Sequence, residues 1–186
     1  MDALDALINR VSVPRLSEPA PDAEQREMLF RAALRAPDHG QLRPWRFLTV
    51  EGDARKQLGE LFAEALSASA EQPSVEALNK AHAMPLRAPL LVVVIASVKE
   101  SPKVPAQEQI IAASCAAHSI LLAAHAQGIG AVWRTGDMAT NAHVAAGLGL
   151  SANEQVVAYL YLGTPERELR TPPTLNVDDF VSAWSR

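Results

Sequence analysis

The sequence predicts an α+β fold, a mixed central sheet flanked by helices in three layers, and three observations predict it. Helical and strand periodicities follow one another in the order helix-helix-strand-helix-helix-strand-helix-strand-helix-strand. Leu90–Ala96 is a continuous apolar run bounded by Pro89 and Ser97, as a strand buried on both faces requires. Pro105–Gln127 is apolar or small almost all round, so as a helix it must be covered on every side. A chain of 186 residues has limited material for that cover, and a second subunit is the cheapest source of it. No repeat, low-complexity tract or linker divides the chain, so residues 1–186 read as one domain.

The elements follow in order. Leu4, Leu7 and Ile8 recur at helical spacing and give a first helix ending near Asn9 or Arg10. Val11 to Pro21, interrupted by Pro14 and Pro19, reads as an extended loop. Asp22 and Gln25 form a capping-box pattern ahead of Met28, Leu29, Ala32 and Ala33, predicting a second helix to about Ala36 before Pro37. Trp45–Glu51 is aromatic and branched, hence a strand. Asp53 is the expected cap of a third helix carrying Leu58, Leu61, Phe62, Ala65 and Leu66, and a fourth runs from Ser74 to about Met84. Beyond the Leu90–Ala96 strand and a loop to Pro105, the long helix closes at Gly128, a residue suited to a left-handed cap. Ile129–Arg134 is a strand, Asn141–Leu148 a short helix, and Val156–Leu162 a third buried strand. The tail from Gly163 is weakly periodic.

Composition excludes several functions. Hydrophobic residues make up 48% and charged residues 20%, a globular balance. The net charge of −4 lacks the basic footprint of a nucleic-acid binder. The start Met1-Asp2-Ala3-Leu4-Asp5 is not a secretory signal, and Ile110–Ala126, with Ser114, His118, Ser119 and His125, is short for a membrane span. With a single cysteine, Cys115, the expected setting is a reducing cytoplasm. Cys115 and His118 share a helix face, but two ligands without a third make no zinc site, and a buried core pair is the expectation. No Gly-x-Ser-x-Gly elbow and no convincingly spaced carboxylate pair is present.

Three segments carry possible chemistry. Asn9-Arg10-Val11-Ser12-Val13-Pro14-Arg15 offers two guanidiniums and a hydroxyl that can grip a phosphate, with a solvated loop as the plainer alternative. Arg35-Ala36-Pro37-Asp38-His39-Gly40-Gln41-Leu42-Arg43-Pro44-Trp45-Arg46-Phe47 presents His39 and Arg43 on a backbone fixed by Pro37, Gly40 and Pro44. Gly128-Ile129-Gly130-Ala131-Val132-Trp133-Arg134-Thr135-Gly136 can bring backbone amides close to a ligand. It is no dinucleotide fingerprint, because its Gly-x-Gly precedes a strand.

Taken in order, with the long apolar helix among them, these segments resemble the nitroreductase family of flavoproteins from Arg10 to Gly163, and its small minimal members most of all. The resemblance implies a nitroreductase-type fold dimerised through the long helix, with two FMN sites shared between subunits. It implies that Arg10, Val11 and Ser12 contact FMN, that Arg35 and His39 reach the partner's flavin, and that Trp133, Arg134 and Thr135 line the isoalloxazine. It matches Ala123, Ala124, His125, Ala126, Gln127 and Gly128 to a stretch associated with the pyridine nucleotide. The implied reaction is ping-pong. NAD(P)H reduces flavin N5, and a nitroaromatic or quinone then accepts the electrons, with no catalytic side chain and no metal. Arg15 or Arg134 would supply positive charge near flavin N1 and O2. A flavin-binding carrier or sensor with little turnover, and a flavin-consuming or dehalogenating relative, are the alternatives. The sequence departs from the family pattern in three ways. Val11 replaces a basic residue, Gln41-Leu42-Arg43 replaces a common Asn-x-Gln pattern that supplies amide contacts, and the tail lacks a Lys-x-Arg pair, for which Arg167 and Arg170 are candidate substitutes.

Overall fold

The apolar run is a strand, β3 (Leu90–Ser97), and its side chains divide the core in two. In the computed structural model, which describes residues 1–69 and 72–186, β3 pairs with β2 (Trp45–Glu51) and with β5 (Glu154–Pro165). β5 in turn carries β4 (Gly130–Arg134) and the two-residue β1 (Leu16–Ser17). Leu90, Val92, Val94 and Ala96 pack with Leu29 and Ala33 of α2 (Ala23–Ala33) and with Ala113, Ile120 and Ala124 of α5 (Ala106–Ala126). Leu91, Val93 and Ile95 pack on the other face, with Phe62 of α3 (Ala54–Ser67), Ala81 of α4 (Val75–Ala83) and Val144 of α6 (Ala142–Gly147). The period of two along one strand thus builds three layers. A bulge opposite Val94 and Ile95 leaves Val157 unpaired in β5, which is why Val157 and its neighbour Ala158 fall in the same cluster.

The α+β expectation holds, with helices on both faces of the sheet. The expected mixed sheet is narrower than that, since every pairing among the described residues is antiparallel. α1 (Ala3–Asn9) and the Asp22–Gln25 capping box form as read, and Gly128 takes φ +73° behind α5.

Four expectations need correction. The loop from Val11 to Pro21 contains β1, added because β5 runs on to Pro165 and offers it an edge. α2 stops at Ala33, and Leu34, Arg35 and Ala36 form turns back onto its last carbonyls. Asp53 does not cap α3 through its side chain; its carboxylate instead meets Lys56 Nζ at 2.8 Å. Cys115 is half-buried and His118 exposed, so they form no buried pair, and no group of three metal-ligating side chains occurs among the described residues.

α5 is covered on one side only. Ile120 and Ala124 are sealed in the core, whereas Gln107, Ile111 and His118 are exposed and Ser114, Cys115 and Leu122 half-buried along the opposite stripe. Ile111 is 52% exposed. The sequence demanded cover for this face, and the single chain does not provide it.

Candidate functional site

The segment after α1 is held along the outer edge of β4. Val13 N–H donates to the Ala131 carbonyl at 2.9 Å, and Leu16 and Ser17 then pair with β5. Two glycines allow this approach. A Cβ on Gly130 would lie 2.4 Å from Leu16 Cδ2, and one on Gly163 would lie 2.9 Å from the Ser17 carbonyl. Because the Ala131 carbonyl points away from β5, the period of two turns the N–H and C=O of Trp133 outward as well. Neither has a backbone partner among the described residues, so β4 ends in an open donor-acceptor edge.

Two cavities flank this edge. The first, about 240 Å³, is lined by Val11, Ser12, Arg15, Arg167 and Arg170. It brings the loop read as a phosphate grip against the tail arginines read as its substitutes. The second, about 390 Å³, opens beside Trp133–Met138 and is walled by Phe62, Met84, Arg87, Tyr159 and Tyr161. Here the Arg134 guanidinium lies over the Tyr161 ring at 5.9 Å, and its Nε is buried without a hydrogen-bond partner. Burial pushes the Tyr161 phenol up, while Arg87 and then Arg134 pull it down, so both guanidiniums face it. Tyr159 donates to the Met138 carbonyl at 3.1 Å and burial keeps its phenol protonated, which makes it a wall rather than a base. Arg15 and Arg134, read as alternatives for one position, lie in different cavities.

His125, near the end of α5, is 8% exposed, and its Nε2 has no partner. Burial lowers its pKa and Arg10 lowers it further, so the ring is neutral near pH 7 and Arg10 lies close by. Ala124 is sealed as well, leaving Ala123, Ala126, Gln127 and Gly128 as the accessible part of the stretch matched to pyridine nucleotide. Gln127 turns its amide onto the Ala123 carbonyl, at a helix end that repels phosphate.

The Arg35–Trp45 loop sits elsewhere. The Pro44 carbonyl takes the N–H of Ser97 at the far end of β3, and Arg46 binds Glu154 through two contacts of 2.7 and 2.8 Å. Ser151 N–H adds a third bond, and Glu154 is held down to about 2, chiefly by Arg46. Gln41 and Arg43 have φ of 53° and 48°, supported by the Asp38 carboxylate, which accepts from the N–H groups of Leu42 and Arg43. His39 Nδ1 meets Glu108 at 2.9 Å, at the start of α5. Arg35, Gln41 and Arg43 line a cavity of about 420 Å³.

The structure therefore gathers Arg10, Val11, Ser12, Trp133, Arg134 and Thr135 around β4 and leaves Arg35 and His39 at the other end. Two rulers agree on the gap. β3 spans roughly 23 Å, and Glu108 to His125 along α5 is roughly 25 Å. Arg87 and Tyr161 were missed by sequence reading, since each gains its meaning only across the sheet. The orphaned Arg134 Nε, the outward Trp133 backbone and the arginine-lined cavity together fit FMN, offering partners for a phosphate and for a polar-edged planar ring.

Comparison with known proteins adds four findings. The model of the Nitroreductase family matches residues 7–164. The chain is 40% identical over 179 residues to "Putative NAD(P)H nitroreductase YdjA" of Escherichia coli (strain K12), covering 96% of each protein. In structure it resembles a nitroreductase-like family protein from Bacillus cereus, with a TM-score of 0.83 at 21% identity, covering 99% of this chain and 96% of that one. It also resembles a single-residue variant of the FMN and NADPH-dependent nitroreductase NfnB from sphigopyxis sp. strain HMH, with a TM-score of 0.78 at 19% identity and full coverage of both chains.

Proposed function

Because the chain belongs to the nitroreductase family, we propose that it is an FMN-dependent NAD(P)H oxidoreductase that passes electrons to a nitroaromatic or quinone by a ping-pong sequence. The observation that carries this reading is the open edge of β4 between the arginine-lined and the aromatic cavities. When bound, FMN supplies the chemistry, accepting hydride from NAD(P)H and delivering electrons to the second substrate. The chain's residues bind and orient. Ser12, Arg15, Arg167 and Arg170 offer the phosphate a hydroxyl and three charges, with Arg10 beside His125 as a further cation. The Trp133 backbone offers one donor and one acceptor to the ring edge, and Phe62, Met84 and the two tyrosines exclude water.

The site is completed by a second copy of the chain. The uncovered stripe of α5 is centred near Cys115, and we take the isologous contact to cross there with the two helices antiparallel. That arrangement carries the Arg35–His39 end of one copy toward the Arg10–His125 end of the other, closing a gap that one chain leaves at roughly 25 Å. Apolar side chains left open elsewhere, Leu4 at 69% and Trp184 at 81% exposure among them, supply further surface to cover.

A spectrum of the purified protein with added FMN, followed by NAD(P)H oxidation with a quinone, tests the activity. Bound flavin and acceptor-dependent oxidation are expected. Bound flavin without turnover would leave the carrier reading standing, and no flavin binding would end both. A mixed dimer tests the shared site. With Arg10→Ala in one chain and Arg35→Ala plus His39→Ala in the other, both lesions fall in a single site, and one tight FMN site per dimer should remain. Retention of no tight site would refute the sharing.

A further inference from the structure

The aromatic cavity holds two guanidiniums that the protein leaves unneutralised. The guanidiniums of Arg87 and Arg134 have no carboxylate within ion-pair distance and no hydrogen-bond partner among the described residues, and Arg134 Nε is buried. Asp137 is the one carboxylate in the lining, and it is exposed and bound to neither. Both arginines act on the phenol of Tyr161, which is 3% exposed, Arg87 the more strongly. Arg87 comes from the turn between α4 and β3, whereas Arg134 closes β4, so their convergence is a product of the fold. Two like charges held together over apolar walls lower their energy by receiving an electron-rich partner. The lining by Trp133, Phe62 and Tyr161 suits a flat partner, and the cavity borders the open edge of β4.

Resting on the FMN reading above, we propose that Arg87, with Arg134, receives the pyrimidine edge of the flavin in this cavity and favours the reduced, anionic ring over the oxidised, neutral one. Arg15 then serves the phosphate and not the ring, because it lies in the other cavity. The phosphate cavity borders the Val11–Arg15 segment that runs beside β4, and the ring cavity opens at the end of that strand. Arg87 is a cofactor-binding residue in this arrangement, and its charge sets how readily the flavin holds electrons.

The test is the midpoint potential of bound FMN, read by spectroelectrochemistry on the full chain. Arg87→Met should cost about tenfold in the preference for reduced over oxidised flavin, equivalent to about 30 mV for a two-electron couple. Arg87→Lys should keep most of it. The FMN dissociation constant of the oxidised protein should change less than that of the reduced one. If Arg87→Met fails to fold, Arg87→Gln provides the same measurement with a polar side chain. A native protein that binds FMN, with a potential unchanged in Arg87→Met or Arg87→Gln, overturns the role of Arg87 and leaves the FMN reading intact. A native protein that binds no FMN overturns both.

Discussion

The two ends of the sheet treat their polar groups in opposite ways. At the β2 end almost everything is paired. Asp38 accepts two amides, Glu154 accepts Arg46 and Ser151, and the Gln109 amide takes Lys99 N–H at 2.8 Å while donating to the Lys99 carbonyl at 2.9 Å. At the β4 end, His125 Nε2 and Arg134 Nε are buried with no partner, the two such side-chain atoms among the described residues. Leaving a buried polar group unpaired costs about 1–3 kcal/mol. One end is therefore satisfied within the chain, and the other leaves buried polar atoms without a partner. The strained φ angles at Gln41 and Arg43 belong to the satisfied end, where they present a loop and do not receive one.

The largest expected effect that sharpens this contrast comes from Gly163→Ala. Its Cβ would meet Pro89 Cδ at 2.6 Å as well as the Ser17 carbonyl, so β1 has to shift. A loss of about 2–3 kcal/mol is expected. FMN affinity should fall with it, because β1 anchors the Val11–Arg15 loop. Unchanged FMN titrations in a destabilised protein would show that the loop holds its place without β1.

Glu154→Gln comes next. The folded carboxyl, held near 2, lies below its ordinary 4.5, so the stabilisation is present above about pH 4.5 and is lost as pH falls toward 2. Denaturant unfolding at pH 7 should show the variant weaker by on the order of 2 kcal/mol, with the difference vanishing near pH 2. A pH-independent gap would mean that packing, and not charge, ties β2 to β5.

Asp38→Ala should cost about 1–2 kcal/mol, since two N–H groups lose their acceptor and the left-handed residues lose their support. In a shared site it also weakens FMN held by the partner. An affinity equal to that of the native dimer would place the loop outside the site.

The smallest effect is local. On FMN binding, hydrogen exchange at the Trp133 amide should slow, while the amides of Arg46 and Val93, already in ladders, stay as they were. Equal slowing across both ends would mean that the flavin stabilises the whole fold and does not fill one unfinished edge.

What was legible in the sequence was what local chemistry decides. Asp22 and Gln25 cap α2 reciprocally because both partners lie within one turn. Leu90–Ala96 is a central strand because nothing else buries such a run on two faces. Asp53 had the same look as Asp22, but a basic Lys56 within reach competes for its carboxylate. β1 has no periodicity of its own and exists through the reach of β5 and the bare glycines beside it. In the site, the resemblance supplied the Arg10 and Trp133 segments. It could not supply Arg87, whose neighbour Tyr161 lies on a strand made much later in the chain.

β5 also has a consequence for how the molecule comes into being. It pairs with β1, β3 and β4, so three of the four strand pairings wait on residues 154–165. A chain emerging from the ribosome can form the β2–β3 pair and its helices early, but β4 and β1 have no neighbour until β5 appears. Such non-local pairing is slow relative to helix formation. While residues 98–153 are being made, the polypeptide carries the apolar face of β3 without its second strand, and the open edge of β4 is among the last parts to take shape.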